Sequence, residues 1–276
     1  MDLLDPRSDF LFKRMFSADQ NRDLLTDLLN AVFVDAQQPR VSEVTVLNPA
    51  LDAGVEADKE AVLDIKARTE TGLRVDVEMQ LANHQDMVPC TLYYWAKLFD
   101  QQLTSGERHQ PLHKAVTINV VNFRCLAAPA AHSMFHLRDV RTGERLTELC
   151  EVHFVELPKA LEGASPALLR WLSFWTQADA AHLEVLAVGD PMMAKAVDVL
   201  TRLSQDREVR ERYEAREKWR HDYVSDVEGA RDEGRQEGRQ EMAVRVAKNL
   251  LAMGRPADEV MAATGLSRAE VEALKS

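Results

Sequence analysis

The chain has 276 residues and a hydrophobic content of 46%, enough for one sizeable folded domain with an appendage, or for two small domains. Its formal net charge of -11 weighs against the broadly basic surface of a non-specific nucleic-acid binder, and leaves room only for a local basic groove. Three widely spaced cysteines, Cys90, Cys125 and Cys150, form no CxxC pair, so they offer neither a disulfide framework nor a zinc site.

The N-terminal residues MDLLDPRSDF lack the basic head and apolar run of a signal peptide. No stretch approaches the ~20 apolar residues of a membrane span. A cytoplasmic protein with no membrane association is expected. In chain order, Phe10, Phe12, Met15 and Phe16, then Leu24, Leu25, Leu28, Leu29, Val32 and Phe33, recur at helical spacing. A first strand is expected over Ser42–Leu47, and two clearer ones over Ala61–Arg68 and Leu73–Leu81. An aromatic-rich amphipathic helix follows from about Met87 to Leu103, in which Tyr93 and Tyr94 read as core residues. Further strands are expected over Lys114–Phe123 and Glu151–Leu157, with looser sequence between them, and Leu168–Ser204 is again helical.

The composition changes near residue 205, which divides the chain into 1–204 and 205–276. Between Asp206 and Glu241, 21 of 36 residues are charged, 12 acidic and 9 basic, as in a solvated helix or a coiled-coil arm. Ala230, Gly234, Gly238, Met242, Val246 and Leu250 recur every four residues there. Each glycine costs a helix roughly 1 kcal/mol relative to alanine. Either a close helix–helix contact compensates for that cost, or the segment is a flexible connector. The tail reads as helix–turn–helix: Ala257–Ala263, a turn at Thr264-Gly265-Leu266, and a capping box from Ser267 to Glu270. That outline suits a DNA-reading motif, but two short helices with few basic residues are more often a packing or dimerisation tail.

The segment richest in chemistry is Asp58–Gln80, DKEAVLDIKARTETGLRVDVEMQ. A three-residue hairpin loop at Glu70-Thr71-Gly72 sets residues whose numbers sum to 142 opposite one another. Asp64 then faces Glu78, and Lys66 faces Asp76. The period of two puts Val62, Asp64, Lys66, Asp76, Glu78 and Gln80 on one face, and Leu63, Ile65, Ala67, Leu73, Val75, Val77 and Met79 on the other. Two carboxylates directly opposite each other destabilise a sheet unless a divalent cation lies between them. Two readings are open: an ordinary solvent-facing sheet surface, or a cation site. In the second, Asp64 and Glu78 hold the metal, Gln80 orients water or a phosphate oxygen, and Lys66 offsets developing negative charge. A register slip of one residue would abolish the arrangement.

Five segments carry a resemblance to a known family: PRSDFLFKRMF (Pro6–Phe16), LLTDLLNAVF (Leu24–Phe33), VLDIKARTETGLRVDVEMQ (Val62–Gln80), LYYWAKLFDQQL (Leu92–Leu103) and AVTINVVNF (Ala115–Phe123). With the tail EGRQEGRQEMAVRVAKNLLAMG…TGLSRAEVEAL, they make the chain similar to the Rpn recombination-promoting nucleases, also called PD-(D/E)XK nuclease family transposases. The resemblance implies an α/β (α+β) restriction-endonuclease-like core of order αβββαβ with a helical C-terminal extension. It implies a metal-dependent DNA endonuclease linked to recombination or mobile elements, using Mg²⁺ (or Mn²⁺ or Ca²⁺). Asp64 and Glu78 take the places of the metal-binding carboxylates, and Gln80 that of the usual lysine. Asp9 and Lys13 fall in the N-terminal motif, either as accessory site residues or as helix caps. The family commonly carries an arginine near the position of Cys90, where this chain has no basic residue. Expected partners are DNA and, through the C-terminal helical region, further copies of the chain.

Two rival readings remain. One is a non-catalytic interaction protein that keeps the nuclease fold. The other is a regulator reading DNA with its C-terminal helices, disfavoured because Arg268, Glu270, Glu272 and Lys275 sum to zero charge. His84, His109, His113, His132 and His136 show no ligand or triad spacing and read as loop histidines.

Overall fold

The computed structural model describes residues 3–47, 65–82, 87–103, 112–159, 163–177 and 179–274. Two compact units divide the chain, Met1–Tyr213 and Glu214–Ser276. In the first, helices α1 (Asp9–Phe16) and α2 (Arg22–Asp35) lead into β1 (Val44–Val46), β2 (Ile65–Thr69) and β3 (Arg74–Gln80). Then come α3 (Met87–Asp100), β4 (Ala115–Val121), β5 (His132–Phe135), β6 (Cys150–Glu156), α4 (Pro166–Thr176), α5 (Ala180–Ala187) and α6 (Pro191–Gln205). The strands form one six-stranded sheet in the order β1-β2-β3-β4-β6-β5. β3, β4 and β6 run parallel and the remaining pairs antiparallel. α2, β1, β2, β3, α3 and β4 reproduce the expected αβββαβ order.

One sheet face is the main core. Ile65, Ala67, Val75, Val77, Met79, Val116, Ile118 and Val120 pack there against Leu11, Phe12, Met15 and Phe16 of α1, the leucines of α2 and Trp171 and Trp175 of α4. Each buried Val, Leu, Ile or Phe contributes about 1.5–3 kcal/mol. Arg170 of α4 ties the helical layer together with bonds of 2.6 Å to Asp27 of α2 and 2.6 Å to Asp190 at the start of α6. α3 covers the opposite face, its Met87 joining Val121, Val152 and Phe154 in a smaller cluster.

Two elements differ from the sequence reading. β5 is an edge strand inside the stretch that looked irregular. It is four residues long and shows no clean alternation of burial, so periodicity could not reveal it. Tyr93 and Tyr94 are 55% and 36% exposed, not core residues. The side of α3 that meets the sheet is the one carrying Met87, Thr91 and Leu98, and the tyrosines lie off it.

α7 (Arg207–Ala252) begins in the first unit, where Val209 and Tyr213 join the main core, and its later part belongs to the second. It is one continuous helix through Gly234 and Gly238. In the second unit α8 (Ala257–Thr264) and α9 (Arg268–Ala273) pack on the end of α7 through Ala247, Val260, Leu266 and Val271. Gly265 ends α8 in the left-handed region at φ 72°, and Ser267 and Glu270 form the expected capping box. Among the described residues, no helix is long and apolar enough to cross a membrane.

Candidate active site

The β2–β3 hairpin has the register expected from its turn. Ile65 pairs with Val77, Lys66 with Asp76, Ala67 with Val75 and Arg68 with Arg74. Gly72 permits the tight loop: its φ is 87°, and the Thr69 N–H reaches the Leu73 carbonyl at 3.0 Å. A Cβ on Gly72 would stand 2.4 Å from the His113 ring, so the loop also needs glycine for space. His113 is held in turn by Gln102, whose side chain accepts from the His113 N–H at 2.8 Å and donates to its carbonyl at 2.9 Å.

This register fixes what each face presents. Lys66, Arg68, Arg74, Asp76, Glu78 and Gln80 share the face away from the main core. Asp76 is buried, whereas Lys66, Glu78 and Gln80 are half-buried and reachable. On the neighbouring parallel strand Asn119 stands beside Glu78, and Val121 beside Gln80. The buried Asn119 accepts a hydrogen bond from Thr91 of α3 at 3.0 Å and donates to the His153 carbonyl at 2.9 Å. The Thr91–Asn119 bond anchors α3 over β4, the strand beside the one that carries Glu78. The Trp95 N–H donates to the Ala115 carbonyl at 2.9 Å and fixes the helix a turn further on.

The structure therefore brings Lys66, Glu78 and Gln80 together. Asp64, their expected companion, lies outside the described residues. Asp9 and Lys13 lie on α1, whose buried side packs on the core face of the sheet; Asp9 is the first residue of the helix, after the N-cap Ser8, and accepts from the Phe10 N–H at 2.6 Å. Among the described residues, no group of three His, Cys, Asp or Glu side chains forms a metal site. Glu78 and Gln80 offer oxygen donors alone, the chemistry that suits Mg²⁺ or Ca²⁺ rather than a thiolate-seeking metal.

A second polar cluster lies on the core side of the same sheet. Glu151 of β6 accepts from Lys114 at 2.7 Å, Gln38 at 2.6 Å and His153 at 2.8 Å. His153 meets His132 of β5 at 2.9 Å, and His132 meets Asp35 of α2 at 2.6 Å. Burial alone would raise the Glu151 carboxyl, but its hydrogen bonds from His153, Lys114 and Gln38 outweigh that and bring it to about 2. Burial holds the His153 imidazole below its ordinary value, against the pull of Glu151. His132 is thus a strand residue and not a loop histidine, while His136 lies in the segment just after β5; their side chains are only 5% and 4% exposed. The missed signal was Glu151-x-His153 inside a strand whose other residues before Glu156 are apolar.

The three thiols also separate. Burial pushes Cys125 up to about 11, with the negative charge of Glu156 adding to it, and burial likewise raises Cys150. Cys90, on α3, is exposed.

A family model described as PD-(D/E)XK nuclease family transposase matches residues 6–230. The chain belongs to this family. A second model, described as the C-terminal HTH domain of the Rpn/YhgA-like nuclease family, matches residues 240–276. In this PD-(D/E)XK family member α8 and α9 are therefore the helices of an HTH domain, and the reading of the tail as mere packing gives way to it. Its zero charge sum misled because charge alone does not define that motif. Comparison with curated proteins and with solved structures finds no match to either.

Proposed function

We propose that this nuclease-family chain is a divalent-cation-dependent DNA endonuclease. The observation that supports it best is the half-buried pair Glu78 and Gln80 on the polar face of a hairpin whose other face is entirely core. In this reading Glu78 and Asp64 hold the cation, which when bound activates water and stabilises charge on the phosphate. Gln80 orients the attacking water or a phosphate oxygen. Lys66 supplies a positive charge on the same face. Asp9 and Lys13 support the site from α1. Water forms a new bond to phosphorus while one ester bond breaks, leaving a phosphate monoester and a free hydroxyl. The C-terminal HTH domain adds DNA affinity. Self-association through α7 would bring two sites to one duplex, as double-strand cleavage requires. The setting is cytoplasmic, where the free cysteines stay reduced, and the role lies in recombination or mobile-element maintenance.

The test is cleavage of supercoiled plasmid by the purified full-length protein with Mg²⁺, Mn²⁺ or Ca²⁺. Loss of nicking and linearisation in Asp64→Ala, in Glu78→Gln and on adding EDTA is expected. Cleavage that survives Glu78→Gln would sink the assignment, and a folded wild type inactive with all three ions would favour a non-catalytic role.

A further inference from the structure

Beyond the carboxylate site, the same sheet face carries two arginines that the fold does not use. Arg68 and Arg74 are directly opposite across the β2–β3 pair. Like charges in that position destabilise a sheet. Neither guanidinium makes an ion pair or hydrogen bond with the described residues, and the Arg74 Nε is buried without a partner. Leaving a buried donor unsatisfied is costly. Burial, followed by the nearby charge of Arg68, depresses the Arg74 pKa, the mark of a cation held where a counter-charge is lacking. The two side chains line an open cleft of about 420 Å³, with Thr45, Glu43, Glu70 and His113 around it.

We propose that Arg68 and Arg74 form a phosphate-binding site that grips the backbone of the nucleic-acid substrate at a distance from the scissile bond. The inference rests on the reading of Glu78 as a nuclease carboxylate, and adds a contact to it. Rows of the polar face follow one another along β3: Gln80, Glu78, the Lys66–Asp76 pair, then the arginine pair. Four residues separate Glu78 from Arg74, about 13 Å at roughly 3.3 Å per residue, so the arginines meet a phosphate beyond the one being cut. Guanidinium forks match phosphate oxygens, and an anion would satisfy the Arg74 Nε and quench the arginine–arginine repulsion together.

The next row limits the track. Glu70 is tethered to the loop before β1 by the Ser42 N–H at 3.0 Å and the Glu43 N–H at 3.4 Å. These hydrogen bonds hold its carboxyl below the ordinary value, keeping it charged. With Glu43, which lines the same cleft, it sets negative charge beyond the arginine pair. A local cation pair of this kind is also compatible with the acidic total of the sequence.

The experiment is fluorescence anisotropy of a labelled DNA duplex with full-length protein in EDTA, over a series of KCl concentrations. Each phosphate contact contributes about 0.9 to the slope of log K against log salt. Arg68→Gln and Arg74→Gln should each lower that slope by about 1 and weaken binding evenly across unrelated sequences. Glu78→Gln, which removes the proposed catalytic carboxylate, should keep the arginine contribution to the slope while losing cleavage. Thermal unfolding without DNA should show Arg68→Gln as stable as wild type or more so, because the repulsion is gone. A wild type that binds and cleaves DNA while both arginine variants retain its slope overturns this inference alone. A wild type that neither binds nor cleaves overturns it together with the nuclease reading. A lowered melting temperature in Arg68→Gln overturns it in favour of a structural role. Stabilisation of wild type by inorganic phosphate, with the DNA slope unchanged in the variants, overturns the nucleic-acid assignment in favour of a free anion.

Discussion

Two sets of ionisable side chains lie on opposite faces of the same six strands. On the core side Lys114, Glu151, His153, His132 and Asp35 form one hydrogen-bonded run, in which each residue has a partner between 2.6 and 2.9 Å. On the other side Arg68 opposes Arg74, and Glu78 and Gln80 remain half-buried. The first set resembles a catalytic relay in its residue types, yet it is sealed among β5, β6 and α2 with every strong group answered. The second holds an arginine pair whose Arg74 Nε has no partner, and it can be reached from outside. Histidine and carboxylate content is thus a poorer guide to function than whether the fold has already satisfied those groups.

The comparison can be broken most forcefully at Glu151. Glu151→Ala leaves the buried His153 and the half-buried Lys114 without their carboxylate, and should cost about 3–5 kcal/mol in urea unfolding at pH 7. A loss under 1 kcal/mol would mean that the core-side run does not hold the fold. The same run should make stability depend on pH. Glu151 sits at about 2, below its ordinary 4.5, so its contribution is complete above pH 4.5 and fades as the pH falls toward 2. His153 is held neutral below its ordinary 6.5, so protonation costs stability as the pH drops below that value. Urea midpoints should therefore decline from about pH 6.5 downward and more steeply below 4.5. A flat profile between pH 7 and 4 would contradict this assignment.

The other face should respond in the opposite sense. Glu78→Gln should reduce plasmid cleavage by at least the roughly 10- to 100-fold seen when groups behind a metal site are removed, with thermal stability unchanged. If stability fell and cleavage persisted, the two faces would have exchanged roles. Gln80→Ala should have the smallest effect, about tenfold on the cleavage rate, because it orients rather than holds. An unchanged rate would remove Gln80 from the site.

Much of this division was legible in the residues. The hairpin register followed from the loop Glu70-Thr71-Gly72, because only glycine takes the left-handed position there and a period of two does the rest. The capping box at Ser267 and Glu270 was equally plain, being a contact within one helical turn. Long-range partnerships were not. Nothing near His132 in the sequence says that it will lie between Asp35 and His153, 97 and 21 residues away. The surface position of Tyr93 and Tyr94 escaped because the helical apolar pattern of α3 runs around more of its circumference than the sheet can cover. The polar face as read from the sequence stopped at Lys66 and Asp76; the opposed Arg68 and Arg74 and the unanswered Arg74 Nε came from the three-dimensional structure.

The spread of the three thiols turns this chain into its own reporter. Cys150 is buried and Cys125 half-buried, and both thiols are raised and protonated at neutral pH, while Cys90 stands exposed on α3, one residue before the Thr91 that bonds Asn119 beside Glu78. A maleimide fluorophore should therefore couple once per native chain and at Cys90, as intact-mass measurement would show. The dye would then sit on the helix that roofs the polar face, where its emission follows substrate arrival without an engineered cysteine.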